Sequence, residues 1–100
     1  MANYVCAVCG EEIETFKDGN FVKIKGSSGN ILKVVPVHKG NCDDALYSFG
    51  MANGLNTNGS MEISFFDTEE ERNEYLNGTF TMTDEQLYKK FFNEDGTLKS

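Results

Sequence analysis

Four residues able to bind a transition metal stand at two short spacings: Cys6-x2-Cys9, then His38-x3-Cys42 after 28 intervening residues. Thiolate sulfur and imidazole nitrogen are donors that a divalent zinc ion takes in a tetrahedron. Each short pair sets two donors on one turn of chain, so only two segments have to meet. Gly10, directly after Cys9, suits a knuckle in which the backbone turns sharply and presents N–H groups to the sulfurs. Cys42 stands where a helix is expected to begin, and the helix dipole favours its thiolate. The set uses all three cysteines and the single histidine. Inert buried cysteines, an iron–sulfur site and a thioredoxin-like redox pair are the alternatives. A redox pair belongs before a helix in a βαβ setting, and iron–sulfur ligation usually draws on four cysteines. One structural zinc per chain, held by Cys6, Cys9, His38 and Cys42, is the expectation.

Short elements must carry these residues. Tyr4–Cys9 is strand-like and runs into Gly10. The β-like runs Asn20–Lys25 and Ile31–Val37 flank Gly26-Ser27-Ser28-Gly29-Asn30, which predicts a β-hairpin with Pro36 at the end or edge of its second strand. A helix follows, with Asn41 as N-cap and Asp43 and Asp44 at the positive end of its dipole. Leu46, Phe49 and Ala45 form its expected buried stripe, and Gly50 or Gly54 its stop. Residues 53–60 read as a loop between halves, and Met61–Phe66 as a short strand. Thr68 with Glu71 is a capping-box pattern for a helix of about nine residues ending near Asn77-Gly78. Thr83 with Gln86 opens another over Asp84–Asn93, with Leu87, Tyr88, Phe91 and Phe92 spaced to cover one face. Glu94–Ser100 reads as a turn and a free end.

Knuckle, hairpin and a second ligand pair at a helix start, in that order, resemble the treble-clef zinc fingers over Tyr4–Phe49. Cys6 and Cys9 match the knuckle pair of that group, and His38 and Cys42 the helix-end pair. His-x3-Cys replaces the commoner Cys-x2-Cys, which loosens the expected helix phase around Asn41. The expected architecture is a small α+β, zinc-stabilised, treble-clef-like domain over residues 1–54. An acidic α/β extension over residues 55–100 adds a strand and two short helices, packed on the finger as one unit. The resemblance is nearly silent on function, because the fold group hosts many. Nucleases built on it need a histidine base and further histidine or asparagine groups around a catalytic metal. Here His38 is already committed, and a closed four-ligand site keeps no position for an activated water. A non-enzymatic protein is expected.

Composition narrows the classes further. The chain has 100 residues, 39% apolar and 25% charged, the balance of one soluble globular domain. No apolar run approaches the ~20 residues that a membrane-spanning helix needs. Met1–Cys9 has neither the basic start nor the apolar stretch of a signal peptide, so a cytoplasmic location is expected. Of the net charge of −7, residues 1–50 carry −1 and residues 51–100 carry −6. Phosphates are repelled by that balance, which counts against nucleic acid. The expectation is a protein-interaction module whose acidic, aromatic-rich half binds a host or cellular protein, through Glu69, Glu70, Glu74, Tyr88, Phe91 and Phe92. Small, acidic, asparagine-rich composition of this kind resembles that of phage-encoded or accessory regulators and inhibitors. The alternative is a nucleic-acid-binding finger using Lys17, Lys23, Lys25, Lys33 and Lys39. The hairpin edge and the last aromatic helix leave room for a homodimer.

Overall fold

The computed structural model describes residues 4–57, 59–80 and 83–97, the side chains of residues 84, 87, 88 and 91 excepted. Tyr4–Val5 (β1) pairs antiparallel with Glu12–Ile13 (β2), with Tyr4 opposite Ile13. Gly19–Lys25 (β3) and Ile31–His38 (β4) form the hairpin, and Asn41–Ala52 is helix α1. Ser60–Glu62 (β5) is followed by a 3-10 turn over Ile63–Phe65, then by Glu69–Asn77 (α2) and Asp84–Phe91 (α3). The architecture is α+β with two antiparallel sheets. The larger has the order β4-β3-β5, so a strand from the second half of the chain completes the sheet that the hairpin begins.

β3 is central because both of its faces are apolar. Phe21 and Val22 are fully buried, and successive residues of a strand point to opposite faces. On the Phe21 side lies α2: Tyr75 stacks on Phe21 with ring centroids 5.9 Å apart, and the Lys23 ammonium sits 5.0 Å from the Tyr75 ring centre. On the Val22 side lies α1, tied by the 2.7 Å hydrogen bond from Asn20 Nδ2 to Asp43 Oδ2. The core therefore has two compartments. Phe66, Tyr75 and Phe80 fill the α2 side with tilted and edge-on ring contacts, joined to Tyr4 through Phe21. Val22, Val35, Val37 and Leu46 are buried as well.

Arg72 is a buried cation in this aromatic layer. Its guanidinium carbon lies 4.3 Å over the Phe16 ring, and Nη1 donates to the Phe66 carbonyl oxygen at 3.1 Å. Those two contacts replace part of the hydration that a charged group loses on burial.

Local signals held where the chemistry was local. The hairpin and its five-residue loop lie where expected, and Pro36 falls on the edge strand β4. Thr68 caps α2 by accepting from the Glu71 N–H at 3.1 Å, and Gly78 ends the helix in the left-handed conformation at φ 77°. The box at α3 is reciprocal: Thr83 Oγ1 accepts from the Gln86 N–H, and Gln86 Oε1 accepts from the Thr83 N–H.

Several expectations are corrected. The strand over Tyr4–Cys9 ends at Val5, because Cys6 begins the knuckle turn. Asn41 is the first helical residue, and the cap position belongs to Gly40 at φ 80°, ψ −120°, backbone that only glycine adopts freely. Phe49 and Ala45 are exposed, leaving Leu46 and Gly50 as the buried residues of α1. Of the two stops expected, Gly50 lies inside the helix, which runs on to Ala52, and Gly54 follows the Asn53 cap at φ 71°. A Cβ at Gly50 would stand 2.8 Å from Thr57 Cγ2 and 3.3 Å from the Leu55 carbonyl oxygen, so the glycine permits close approach of the next segment. Among the described residues of 53–60, Asn56 bridges to Lys25 through a pair of backbone hydrogen bonds, so this part of the chain is more than a loop. The strand expected over Met61–Phe66 yields to the 3-10 turn after Glu62, and α3 ends at Phe91, short of Asn93. Among the described residues no helix is long and apolar enough to cross a membrane.

Candidate metal centre

Cys6 and Cys9 sit on the turn that joins β1 to β2. The Cys6 N–H donates to the Glu11 carbonyl at 2.9 Å and the Gly10 N–H to the Cys6 carbonyl at 3.0 Å, closing a tight loop that Gly10 completes at φ 77°. The Ala7 N–H then donates to the Pro36 carbonyl at 2.8 Å, which docks the knuckle on the outer edge of β4. His38 is the last residue of β4 and Cys42 the second residue of α1, with the Gly40 turn between them. The Lys39 N–H donates to the Asp18 carbonyl at 2.8 Å, and the Lys39 ammonium pairs with the Glu62 carboxylate, so the turn is held from both sides.

These elements bring the four donor atoms within 4.8 Å of one another. His38 Nδ1 lies 3.3 Å from Cys9 Sγ and 3.9 Å from Cys42 Sγ. Its Nε2 lies 3.0 Å from the Glu12 carbonyl oxygen, which can only accept. The proton therefore belongs on Nε2, and the lone pair of Nδ1 faces the sulfurs. A tetrahedral ion with metal–sulfur bonds of about 2.3 Å separates its donors by roughly 3.8 Å, so a metal ion fits this cluster with small adjustments. The three cysteines are free thiols, with Cys6 buried, Cys42 half-buried and Cys9 exposed.

The electrostatics are those of an anion-collecting knuckle. Burial pushes the Cys6 thiol up, yet N–H donors from Cys9, His38 and Val8, with the His38 ring, outweigh it and bring the pKa down to about 6. Backbone N–H groups stand 3.4 Å (Val8) and 3.5 Å (His38) from its sulfur. His38 is raised above the usual imidazole range by the Cys6 thiolate and the Glu12 carbonyl. Cys42 is pushed up to about 11 by burial and by the neighbouring Cys6 and Cys9 sulfurs. Crowded sulfurs that resist a second negative charge ionise readily once a cation sits among them.

The second-half residues lie elsewhere. Glu69 and Glu70 are exposed on the first turn of α2, and Glu74 is half-buried. Phe92 is half-buried, edge-on to Phe65 with centroids 5.8 Å apart. The side chains of Tyr88 and Phe91 lie outside the described residues. Of the hairpin lysines, Lys23 is engaged over Tyr75 and Lys39 with Glu62, while Lys17 and Lys33 are exposed. The parts of the centre that the sequence does not announce are backbone groups, the Glu12 and Pro36 carbonyls. Their only signal is the short return from Cys9 to Glu12, which makes a hairpin of the knuckle.

No protein-family model matches the chain, and no curated protein or solved structure matches it.

Proposed function

We propose that the chain is a non-catalytic interaction module built on a structural zinc site of treble-clef type, acting on a cellular protein through its acidic second half. The observation that carries the metal reading is the convergence of four donor atoms within 4.8 Å, three of them sulfur. Such a donor set selects zinc or another thiophilic ion over hard cations such as magnesium or calcium. Cys6 and Cys9 before the hairpin, His38 at its end and Cys42 after it support the treble-clef comparison. When bound, zinc supplies a fixed, redox-inert crosslink between knuckle and helix. Its four ligands close the coordination sphere, and the one histidine is among them, which supports a non-enzymatic role.

The partner reading rests on charge. Glu69, Glu70 and Glu71 stand together in the first turn of α2, where the helix dipole also favours them. The aromatics Phe66, Tyr75 and Phe80 are spent on the core, so the contact surface is expected to be acidic more than aromatic. Two measurements test the proposal. Elemental analysis of metal-replete protein should return one zinc per chain, and its absence would overturn the metal reading. Reversing charge at Glu69, Glu70 and Glu74 should slow association with the captured partner and flatten its salt dependence. Unchanged rates would remove the acidic face from the contact.

A further inference from the structure

We propose that the cleft between the hairpin tip and the C-terminal end of α2 docks a short acidic segment of another protein, anchored by one or two apolar side chains. The surface is separate from the acidic first turn of α2 and goes beyond the reading above. Ile31, Leu32, Lys33 and Val34 form one wall and Leu76–Gly78 the other, enclosing about 270 Å³. That volume is at or below the low end of small-molecule sites, and suits a side chain or two in place of a cofactor.

Three observations converge on the occupant. Ile31 and Leu32 are adjacent aliphatic residues, 50% and 57% exposed, on the edge strand of the sheet. Beside a cleft, these two side chains give an incoming apolar group surface to cover. The hairpin Gly19–His38 has Lys23, Lys25 and Lys33 and no acidic residue, and with Lys23 held over Tyr75 it offers Lys25 and Lys33 to a ligand in a chain of net charge −7. Lys33 lines the cleft and Lys25 stands opposite Ile31 in register, and neither meets a carboxylate among the described residues. An acidic segment is complementary to that rim. The lining combines Ile31, Leu32, Val34 and Leu76 with Lys33, Asn77 and Gly78 and has no aromatic ring for a base to stack on, which disfavours single-stranded nucleic acid.

The test uses the metal-replete full chain and three probes: short peptides with one or two leucines between acidic residues, their lysine-flanked counterparts, and oligothymidylate. Retention of the acidic peptides is expected, with amide shifts confined to Ile31–Val34 and Leu76–Gly78. Leu32→Ser and Lys33→Glu, both at exposed positions, should each weaken binding roughly tenfold at an unchanged melting temperature, and Glu69→Lys should not. Preference for the lysine-flanked peptides or for oligothymidylate would overturn the assignment. So would failure to retain any acidic peptide, or self-association in sedimentation that the same two substitutions abolish.

Discussion

Proton competition governs how the cluster of Cys6, Cys9, His38 and Cys42 takes a metal. In the metal-free chain the Cys6 thiol, at about 6, is already ionised at neutral pH, while Cys42, pushed up to about 11, keeps its proton. Binding a divalent ion must therefore expel the Cys42 proton, and calorimetry at neutral pH in buffers of different ionisation enthalpy should show at least one proton released per ion. A buffer-independent heat would contradict this. The signs for metal-free stability are opposite at the two thiols. Cys6, depressed from 9.0 in the unfolded chain, contributes stability that is full above about pH 9 and is lost as pH falls through 6. Cys42, raised from 9.0, contributes stability present below 9 and lost as pH rises through 11. The four residues that converge were legible in the sequence, because donor type and short spacing are local properties. The Glu12 carbonyl that orients His38 was not, since any residue type supplies a carbonyl at that place.

Elements whose ends are fixed by neighbours in sequence were equally legible, and those fixed by distant packing were not. The full capping box at Thr83, the Thr68 cap and the αL glycine at Gly78 involve residues three to five apart, and the structure keeps them, with the Glu71 carboxylate accepting from the Asp67 N–H in place of the Thr68 N–H. Thr68→Ala should cost about 1 kcal/mol in urea denaturation, because α2 presents Arg72 and Tyr75 to the core and its frayed start would leave the Glu71 N–H unmet. The α1 helix shows the other case. Its apolar periodicity pointed to Phe49, but α1 meets the sheet through Leu46 and lets the Leu55–Thr57 segment approach at Gly50. Helix propensity alone would make Gly50→Ala stabilising by about 1 kcal/mol. The Thr57 methyl group 2.8 Å from the new Cβ reverses the sign, and a net loss of about 1–3 kcal/mol is expected. Thr57→Ser removes that methyl group, so the double variant should recover part of the loss. Additive effects would show that the helix approaches the segment less closely than the geometry requires.

For the whole molecule, the question is whether a metal held by Cys6, Cys9, His38 and Cys42 would stabilise one half or all of it. The ligands belong to residues 6–42, which suggests a finger that melts by itself on chelation. Sheet topology argues otherwise. Among the described residues β5 pairs with β3, through Asn20–Glu62, Phe21–Met61 and Val22–Ser60, so the strand that opens the second half is held by the sheet of the first. The α2 helix packs on the face of the same strand through Tyr75 and Phe21. The knuckle in turn caps the outer edge of β4 through Ala7 to Pro36 and through the His38 N–H on the Cys6 sulfur. Loss of a metal from this cluster would free the knuckle, uncover that edge and loosen the strand to which both helical layers are attached. Structural zinc contributes ~10 kcal/mol or more in small fingers, comparable with the total stability of a domain this size. Chelation should therefore unfold the chain in one step. Far-ultraviolet circular dichroism and the near-ultraviolet tyrosine signal, reporting on both halves, should fall together along a single curve of metal loss. A tyrosine signal that survives after the hairpin signal has gone would mean that α2 and the Phe66–Tyr75–Phe80 cluster hold a core independent of the metal.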